Sequence, residues 1–442
     1  MSNNAQDRIV KPTPITGYPE LLPEERLVEL AWLDRIRTVF ESYGFCSIET
    51  PSVEAVEVLA AKGGDVDKEV YGLKRLNEDD PEKGAKVALH YDMTVPMARY
   101  VAQHYNDLVF PFKRYQMQKA WRGERPQEGR FREFMQCDID VVDNDEVSLH
   151  FDAELPAIVY EILSSLNVPI TLHVNNRKIL EGFYRGLGIS DPVSAIRIAD
   201  KLDKIGPDGV RKGLVEEVGL SPAAAQSCLD LASIRATDTS FAQRVRALGV
   251  TNELLDKGLE ELVFVMEHLA HLPPGAVTAD MAIARGFDYY TGTVYEGKFA
   301  AYPDYPSICS GGRYDNLVSS YLKRKLPGVG LSIGLTRIFS KLLKEGVLPV
   351  GPKSPTQVLV AFPPDGDRKL VLATAQKLRA RGIKVEAFHE DRKWKVQLGY
   401  ASKKGIPYVW FPPEGEATAH NVKNMITGEQ VHADPDLWFL PS

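Results

Sequence analysis

Two segments of the chain combine charged and phenolic side chains with glycines in a way that suits a ligand pocket. Residues 285–296 read Arg-Gly-Phe-Asp-Tyr-Tyr-Thr-Gly-Thr-Val-Tyr-Glu, and residues 310–316 read Ser-Gly-Gly-Arg-Tyr-Asp-Asn. Because glycine has no side chain, the backbone can approach a ligand closely there. We predict a strand and a tight glycine turn in the first segment, and a Gly-Gly turn in the second. Together they would form a polar pocket for a small zwitterion and a phosphate.

Residues 121–140 predict two strands that are joined by a loop rich in proline and glycine. Arg122 and Glu124 lie on the first strand, and a guanidinium such as that of Arg122 suits bidentate contact with a phosphate. On the second strand, the period of two places three polar side chains on one face: Gln136, Asp138 and Asp140. Carboxylates are costly to bury without cationic partners, so this face should line a polar cavity.

Two shorter stretches could contribute to the same site. Residues 328–337 place three glycines ahead of an amphipathic helix, with Arg337 on its first turn. Taken alone, such glycines more often serve packing than binding. Asp92 and Thr94 follow a predicted strand, where an Asp-x-Thr pair usually caps a helix, here the one predicted over 95–105.

The surrounding pattern predicts the elements that position these residues. Apolar residues at helical spacing over 24–43 are followed by a strand over 45–50 that stops at Pro51. Further segments are strand-like, with one helix among them: strands 86–91, 112–120, 133–142 and 169–175, and helix 146–166. Short helices then occupy 176–275, with breaks at 206–209 and 273–275, and strands resume over 277–314.

A proline-rich linker near residues 349–355 precedes a last region of alternating elements. Strands are predicted over 357–362, 383–388 and 407–411, and helices over 367–381 and 391–404. This alternation indicates a small α/β unit with a mainly parallel sheet. Between Arg368 and Lys404, eleven Lys and Arg stand against three Asp and Glu, a local net charge of +8. A solvated helix face is the usual meaning of such charge, but Trp394 and Tyr400 could stack on bases, which favours RNA contact.

Length and composition limit the class of protein. A chain of 442 residues should form two to four structural units, and 44% hydrophobic with 26% charged residues is typical of a folded protein. There is no run of 18 apolar residues and no secretory pattern at the N-terminus, so we expect no membrane association. Four cysteines without CxxC spacing indicate neither a zinc site nor a disulfide framework, which fits a reducing cytoplasm. The net charge of −7 confines any RNA contact to local basic faces.

Taken in order, these segments resemble those of the histidyl-tRNA synthetases, a family of class II aminoacyl-tRNA synthetases. The helix and strand that end at Pro51 resemble the first class II signature, residues 121–135 the second, and residues 328–337 the third. Residues 285–296 and 310–316 resemble the paired histidine-binding signatures. The resemblance covers nearly the whole chain and is weakest over 190–275.

The resemblance implies an α+β catalytic domain with a class II antiparallel sheet, a helical insertion and a C-terminal α/β anticodon-binding domain. The expected boundaries are 1–175 and 276–348 for the two parts of the catalytic domain, 176–275 for the insertion, 349–356 for the linker and 357–442 for the anticodon-binding domain.

The activity that it implies is histidine–tRNA ligation. Histidine and ATP would give histidyl-adenylate and pyrophosphate, and the histidyl group would pass to the 3′ end of tRNA(His). Mg²⁺ would travel with ATP, and neither a prosthetic group nor a protein-bound metal site is expected. The family further implies a cytoplasmic homodimer.

The resemblance also assigns site residues. Four residues are expected to bind ATP: Arg122, Glu124, Arg130 and Arg337. Eight are expected to bind histidine: Asp92, Thr94, Gln136, Asp140, Arg285, Tyr289, Tyr290 and Tyr314. Within this set, Asp92, Thr94 and Gln136 would hold the α-amino group, whereas Asp140 and Tyr290, helped by Tyr314, would sense the imidazole. Arg285 and Arg122 are the expected catalytic residues, with Arg285 beside the α-phosphate.

Two positions depart from the family pattern. His90 stands where we expect arginine, and Gly123 stands where many bacterial members have histidine. How the loop over 123–131 would contact the tRNA acceptor end therefore stays open.

Two other functions remain as alternatives. The first is a non-catalytic paralogue that senses histidine, such as the regulatory subunit of ATP phosphoribosyltransferase, and the second is an RNA-binding pseudo-synthetase fused to a regulator. The sensing paralogue lacks the anticodon domain and the arginines, whereas Arg122, Arg285 and Arg337 are all present here. No additional domain is evident that would support the second alternative.

Overall fold

The computed structural model describes residues 11–60, 69–76, 84–284, 290–316, 321–364, 366–414 and 418–441. The chain divides into two compact units. The first consists of Met1–Pro19 and Leu33–Glu345, and the second of Glu20–Trp32 and Gly346–Ser442. In the described part of the chain, no helix is both long enough and apolar enough to cross a membrane.

Helix α1, Pro23–Ser42, carries Glu24 and Glu25 in its first turn, where acidic side chains are favourable, and ends ahead of Gly44. Ten further helices follow before the C-terminal region: α2 Val56–Ala60, α3 Thr94–Gln103, α4 His150–Ser165, α5 Arg177–Gly186, α6 Pro192–Ala199, α7 Leu202–Glu216, α8 Pro222–Ala232, α9 Ser240–Arg246, α10 Glu253–His268 and α11 Leu335–Lys344. Gly206 interrupts α7 with a positive φ of 69°, at the predicted break.

The strands of the first unit are β1 Cys46–Ser47, β2 Val53–Ala55, β3 Gly72–Leu73, β4 Val87–Leu89, β5 Phe112–Trp121, β6 Glu133–Val142, β7 Ile170–Asn176, β8 Arg235–Ala236, β9 Val277–Asp280, β10 Tyr290–Phe299, β11 Cys309–Tyr314 and β12 Gly328–Ile333. Nine of them form one sheet in the order β1-β5-β6-β12-β11-β10-β7-β9-β8, and β2, β4 and β3 form a small sheet that the sequence did not predict. The five neighbouring pairs from β5 to β7 are antiparallel, which confirms the predicted fold class.

The glycine turns predicted in residues 285–296 and 310–316 are wrong. Gly292 lies within β10, and Gly311 and Gly312 lie within β11. These glycines allow close packing rather than chain reversal. A Cβ on Gly311 would lie 2.0 Å from the backbone oxygen of Gly330 on the neighbouring strand. The described part of the two segments therefore forms a pair of antiparallel strands, with a register shift between Tyr290 and Val294.

The second unit contains a five-stranded sheet with two helices. Its elements are β13 Val358–Val360, α12 Arg368–Ala380, β14 Val385–Ala387, α13 Trp394–Lys404, β15 Tyr408–Phe411, β16 Asn421–Asn424 and β17 Gln430–His432. β13 pairs in parallel with β14 and β15, whereas β15–β16 and β16–β17 are antiparallel. The predicted mainly parallel sheet is wrong for the last two strands, because these short polar segments carry no apolar alternation.

Candidate active site

A cavity of about 490 Å³ opens over the large sheet of the first unit. Strands β6, β10, β11 and β12, the loop that joins β5 to β6, and the starts of α3 and α11 all contribute to its wall. Arg122 and Glu124, which were predicted on the first strand of the hairpin, lie in that loop because β5 ends at Trp121. Eight of the predicted site residues line it: Asp92, Thr94, Arg122, Glu124, Arg130, Gln136, Tyr290 and Arg337. The structure thus brings residues that lie up to 245 positions apart into one polar site.

One end of this cavity is strongly basic. Arg122 donates from Nε to the backbone oxygen of Tyr91 at 3.1 Å, and its guanidinium lies 5.1 Å from the ring centre of Phe134. Arg130 donates to Glu124 at 2.9 Å. These contacts fix two guanidinium groups at the cavity wall, which suits a polyanion such as a phosphate chain.

Arg337 completes the basic end. It lies in the first turn of α11, as predicted, and donates to the backbone oxygens of Gly129 and Ser307. Burial, followed by the positive charge of Arg122, lowers the pKa of Arg337 to about 10. The group stays charged at neutral pH. Burial is the main cause of the lowered pKa, and a bound anion would offset the smaller contribution of the positive charge of Arg122.

The middle of the cavity carries three buried oxygens that have no hydrogen-bond partner among the described residues. They are Asp92 Oδ2, Gln136 Oε1 and Asp138 Oδ1. The other oxygen of Asp92 accepts from the backbone N–H of Val95 at 3.1 Å, so Asp92 also caps α3, as predicted. Gln136 donates from Nε2 to Ser332 at 2.8 Å, which leaves its oxygen facing inward. Unpaired buried acceptors are rare in folded proteins and indicate a site for a hydrogen-bond donor.

The far end narrows to a small recess of about 30 Å³. It is lined by polar groups and by glycine backbone, including Thr94, Asp138, Asp140, Tyr290 and Tyr314. Tyr314 donates its hydroxyl to Asp140 Oδ1 at 2.8 Å. Burial raises the pKa of Asp140 to about 6 and that of Asp138 to about 7. Both carboxyls therefore exchange protons close to neutral pH.

Glycines make room for this recess. A Cβ on Gly330 would lie 2.0 Å from Asp140 Oδ1, and a Cβ on Gly328 would lie 2.4 Å from the ring of Tyr314. Gly328 and Gly330 therefore pack against the two side chains that shape the recess. Gly328 and Gly330 themselves lie in β12, ahead of the helix.

Two buried residues of this region were given no binding role from the sequence, although Asp138 was expected to line a polar cavity. Asp138 lines both the large cavity and the recess. Arg114, which is completely buried, lies opposite Asp140 across the β5–β6 pair, with Nη2 at 2.5 Å from Asp140 Oδ2. The sequence could have indicated Arg114, because the register of the predicted hairpin places residues 114 and 140 opposite each other.

The two departures from the family pattern have structural explanations. His90 is fully buried, and its ring nitrogens lie 2.7 Å from the backbone oxygen of Lys119 and 3.2 Å from that of Pro51. It therefore bridges β5 and the segment between β1 and β2, and it does not line the cavity. Gly123 donates its N–H to the backbone oxygen of Glu69 at 2.7 Å, and a Cβ there would approach that oxygen to 3.3 Å. A larger residue would press on that contact.

Arg285 and Tyr289, two of the predicted site residues, lie outside the described residues. Tyr290, the first residue of β10, lines both cavities and pairs with Tyr314 on β11.

Comparisons with known proteins agree with this architecture. A large antiparallel sheet that carries a basic and acidic cavity defines the class as aminoacyl-tRNA synthetases of class II, the fold that the sequence predicts. The crystal structure of histidyl-tRNA synthetase from Nostoc sp. PCC 7120 matches with a TM-score of 0.86 and 40% identity, over 97% of this chain and 98% of that chain.

A family model described as histidyl-tRNA synthetase matches residues 17–338. The histidine–tRNA ligase of Thermobifida fusca (strain YX) is 57% identical over 436 residues, which cover 98% of this chain and 99% of that protein. The chain belongs to the histidyl-tRNA synthetase family.

A structure described as an ATP phosphoribosyltransferase regulatory subunit/histidyl-tRNA synthetase from Bacillus halodurans C matches with a TM-score of 0.74. The match extends over 91% of this chain and 99% of that chain, with 22% sequence identity. At this identity the likeness concerns the fold alone, so it does not favour the regulatory alternative.

Proposed function

We propose that this chain is a histidine–tRNA ligase, which activates histidine with ATP and transfers it to tRNA at the cavity of the first unit. The observation that carries the proposal is the order of groups along this cavity. Three arginines occupy one end, unpaired buried acceptors the middle, and a recess with a carboxyl and two phenols the other. This order fits the triphosphate of ATP and the α-ammonium group and side chain of one bound histidine.

The α-ammonium group binds at the middle of the cavity. An ammonium has three N–H donors, and Asp92, Gln136 and Asp138 supply three acceptors that have no partner among the described residues. Thr94 lines the same region and adds a hydroxyl. The negative charge of the two carboxyls favours a cation over a neutral donor.

The imidazole enters the recess. A neutral imidazole offers one donor and one acceptor, which Asp140 and the phenols of Tyr290 and Tyr314 can match. An amino acid whose side chain lacks a matching donor and acceptor would displace water from the recess without replacing its hydrogen bonds to these polar groups, which penalises its binding. Tyr289, which precedes Tyr290, is part of the same proposed histidine site.

The triphosphate lies along Arg122, Arg130 and Arg337, with Arg285 beside the α-phosphate. The carboxylate of histidine attacks this phosphorus in line and pyrophosphate leaves, so catalysis depends on positioning and on fixed positive charge. Arg122 and Arg285 are the proposed catalytic residues. Mg²⁺ enters bound to the phosphates of ATP, and Glu124, at the cavity wall, is the carboxylate placed to contact it.

The second unit contributes contact with tRNA(His). Trp394 and Phe411, whose ring centres lie 5.0 Å apart, form one wall of a cavity of about 430 Å³. Asn421, Lys423 and Gln430 also line it, so that aromatic stacking and amide hydrogen bonds are both available to a nucleobase. Tyr400 does not line this cavity, because its hydroxyl donates to Glu386 and its ring packs against Phe388.

The chain would act in the cytoplasm as a homodimer. Among the described strands, β1 pairs with β5 alone and lies at one edge of the large sheet. Both of its residues are exposed, so this edge could meet a second copy. We retain as proposals the domain boundaries at residues 175, 275, 348 and 356, since the compact units of the structure do not separate the insertion from the catalytic domain.

The test of this function is histidine-dependent exchange of labelled pyrophosphate into ATP by the purified protein. We expect exchange with histidine and none with glutamine, which has an amide in place of the imidazole. Histidine binding without exchange, measured by calorimetry on the same preparation, would support the sensing alternative and reject the ligase.

A further inference from the structure

Arg114 is a buried cation for which the proposed function has no role so far. It lies on β5 directly opposite Asp140 on β6, and its Nη2 is 2.5 Å from Asp140 Oδ2. Arg114 is 0% exposed and Asp140 is 3% exposed, so the two charges meet away from water. This ion pair therefore connects a side chain buried in the sheet with a carboxyl that lines the recess.

A packing role does not account for this arginine. Nε and Nη1 of Arg114 have no hydrogen-bond partner among the described residues, so part of the guanidinium is buried without compensation. Replacing a buried ion pair by apolar residues is often neutral or even stabilising. An apolar side chain would thus fill this position at a lower cost in folding free energy, which points to a role in binding.

The charges around Asp140 indicate what that role is. The titratable and charged groups that face it are Arg114 on β5, Asp138 on β6, Tyr290 on β10, Tyr314 on β11 and Asp92 ahead of α3. Arg114 is the cation of this described set. Burial raises the pKa of Asp140 to about 6 and that of Asp138 to about 7, and the charge of Arg114 is the strongest influence opposing both rises. Without Arg114, both carboxyls would hold their protons at neutral pH.

We propose that Arg114 is a positioning residue for histidine recognition, which keeps Asp140 as an oriented carboxylate that accepts from an N–H of the substrate imidazole. The inference rests on the proposed function, in which the imidazole enters the recess. Asp140 Oδ2 faces Arg114, and Oδ1 accepts from Tyr314 at 2.8 Å. Each carboxylate oxygen has a second lone pair, so Asp140 can still accept from the ligand. A protonated carboxyl would lose part of this capacity.

The test compares the steady-state kinetics of pyrophosphate exchange for the wild type and Arg114→Met between pH 6.0 and 8.5. At pH 7 the KM for histidine should rise at least about tenfold, the cost of a weakened hydrogen bond to a charged group, while kcat stays within about threefold. The ratio of variant KM to wild-type KM should shrink as the pH rises, because the carboxyls then ionise without Arg114. Free histidine itself changes its protonation in this pH range. Because this affects both enzymes equally, the ratio of the two KM values at each pH is independent of it.

Two further variants separate this role from a general loss of charge in the strand. Lys113, the preceding residue on β5, pairs with Glu154 at 2.9 Å, so Lys113→Met removes a cation from the opposite face of the same strand. Its KM for histidine should equal that of the wild type at every pH. In an Asp140→Asn background, Arg114→Met should raise KM clearly less than it does in the wild type, because the part of its effect that acts through Asp140 is then absent and only the influence on Asp138 remains.

A KM ratio that is independent of pH would overturn the proposal, as would a kcat that falls as much as KM rises. If Arg114→Met does not fold, Arg114→Gln replaces it with the same expected result. Failure of both variants to fold would make Arg114 a structural residue and would also overturn the proposal. A wild type without exchange would instead reject the proposed function itself.

Discussion

The residues of the cavity are notable for hydrogen-bonding capacity that the protein itself does not use. Within the described part of the chain, Asp92, Gln136 and Asp138 each bury an oxygen without a partner, beside guanidinium groups that donate to backbone oxygens. Such groups cost folding free energy, and a bound zwitterion with a phosphate chain would recover it. At this scale the site is therefore prepared for its ligand before the ligand arrives.

Proton release on histidine binding follows from the pKa of Asp138. Burial raises this pKa to about 7, so the carboxyl is partly protonated near neutral pH. A bound ammonium favours the carboxylate and lowers the pKa, so histidine binding at pH 7 should release protons. Calorimetry in buffers of different ionisation enthalpy measures this release, which should be smaller in Asp138→Asn. Proton uptake by the wild type would contradict the prediction.

The same pKa has a consequence for stability. The pKa of Asp138 in the folded state lies above its value in the unfolded state. The contribution of Asp138 to the free energy of unfolding is therefore complete below pH 3.8 and is lost as the pH rises through about 7. Without ligand, the Asp138→Asn variant should thus melt at a higher temperature than the wild type at pH 8. At pH 5 the difference in melting temperature should be smaller. Thermal denaturation at both pH values tests this, and an equal change at both would refute it.

Arg285→Ala tests the proposed catalytic cation. We expect adenylation to fall by roughly two to three orders of magnitude, as on loss of other groups that stabilise transition-state charge, while histidine affinity stays within about tenfold. Single-turnover formation of the adenylate, together with calorimetric histidine binding, separates the two effects. A variant that loses binding and folding together would make Arg285 structural instead.

Strands rather than loops hold most of the described site. β5 and β6 form the predicted hairpin, and its register brings Gln136, Asp138 and Asp140 to one face. β11 and β12 cross this face with glycines, which lets the two backbones and the buried side chains approach closely. The elements therefore determine the size of the recess, and α11 adds Arg337 at the basic end.

Gly330→Ala tests this account of the strands. A Cβ would lie 2.0 Å from Asp140 Oδ1, so the carboxyl must move. The KM for histidine should rise at least about tenfold, because overpacking typically costs about 1–3 kcal/mol and here it distorts the recess. The KM for ATP should change little, because the arginines lie at the other end of the cavity. Gly351→Ala, which has open space around its Cβ, is the matched control and should behave as the wild type. Equal changes in both KM values would contradict the account.

The length and composition of each helix or strand also decided whether it could be predicted from the sequence. Long apolar or alternating segments such as α1, β5 and β6 were predicted within a few residues, since periodicity is strong there. β11 was mistaken for a turn because Gly311 and Gly312 are typical of turns, and only the neighbouring strand explains them. β16 and β17 were missed because short polar strands carry no periodic signal. Arg114 was missed because its importance arises only from the residue opposite it.

The whole molecule combines two units with different chemistry. The first holds the cavity for histidine and ATP, and the second carries the basic region between Arg368 and Lys404 and an aromatic cavity of its own. The net charge of −7 gives the chain no general attraction to RNA, so recognition must come from such local surfaces. Adenylation and tRNA recognition should therefore be separable by mutation.

Trp394→Ala tests that separation. Loss of base stacking of about 1–3 kcal/mol should raise the KM for tRNA roughly five- to 150-fold. Histidine-dependent pyrophosphate exchange, which needs no tRNA, should be unchanged. Leu372→Ala removes an exposed apolar side chain from α12 of the same unit and is the control, with no effect expected on either measurement. A Trp394 variant that weakens exchange would place this residue in a structural role.

The central claim is that the cavity of the first unit charges tRNA with histidine. The most direct measurement is transfer of labelled histidine to tRNA(His) by the purified wild type and by Arg122→Ala at equal concentration. The account predicts ATP-dependent charging by the wild type and a loss of roughly two orders of magnitude or more in the variant, since Arg122 is a fixed cation at the phosphate end. Absence of charging by the folded wild type, or an equal rate in the variant, would contradict it.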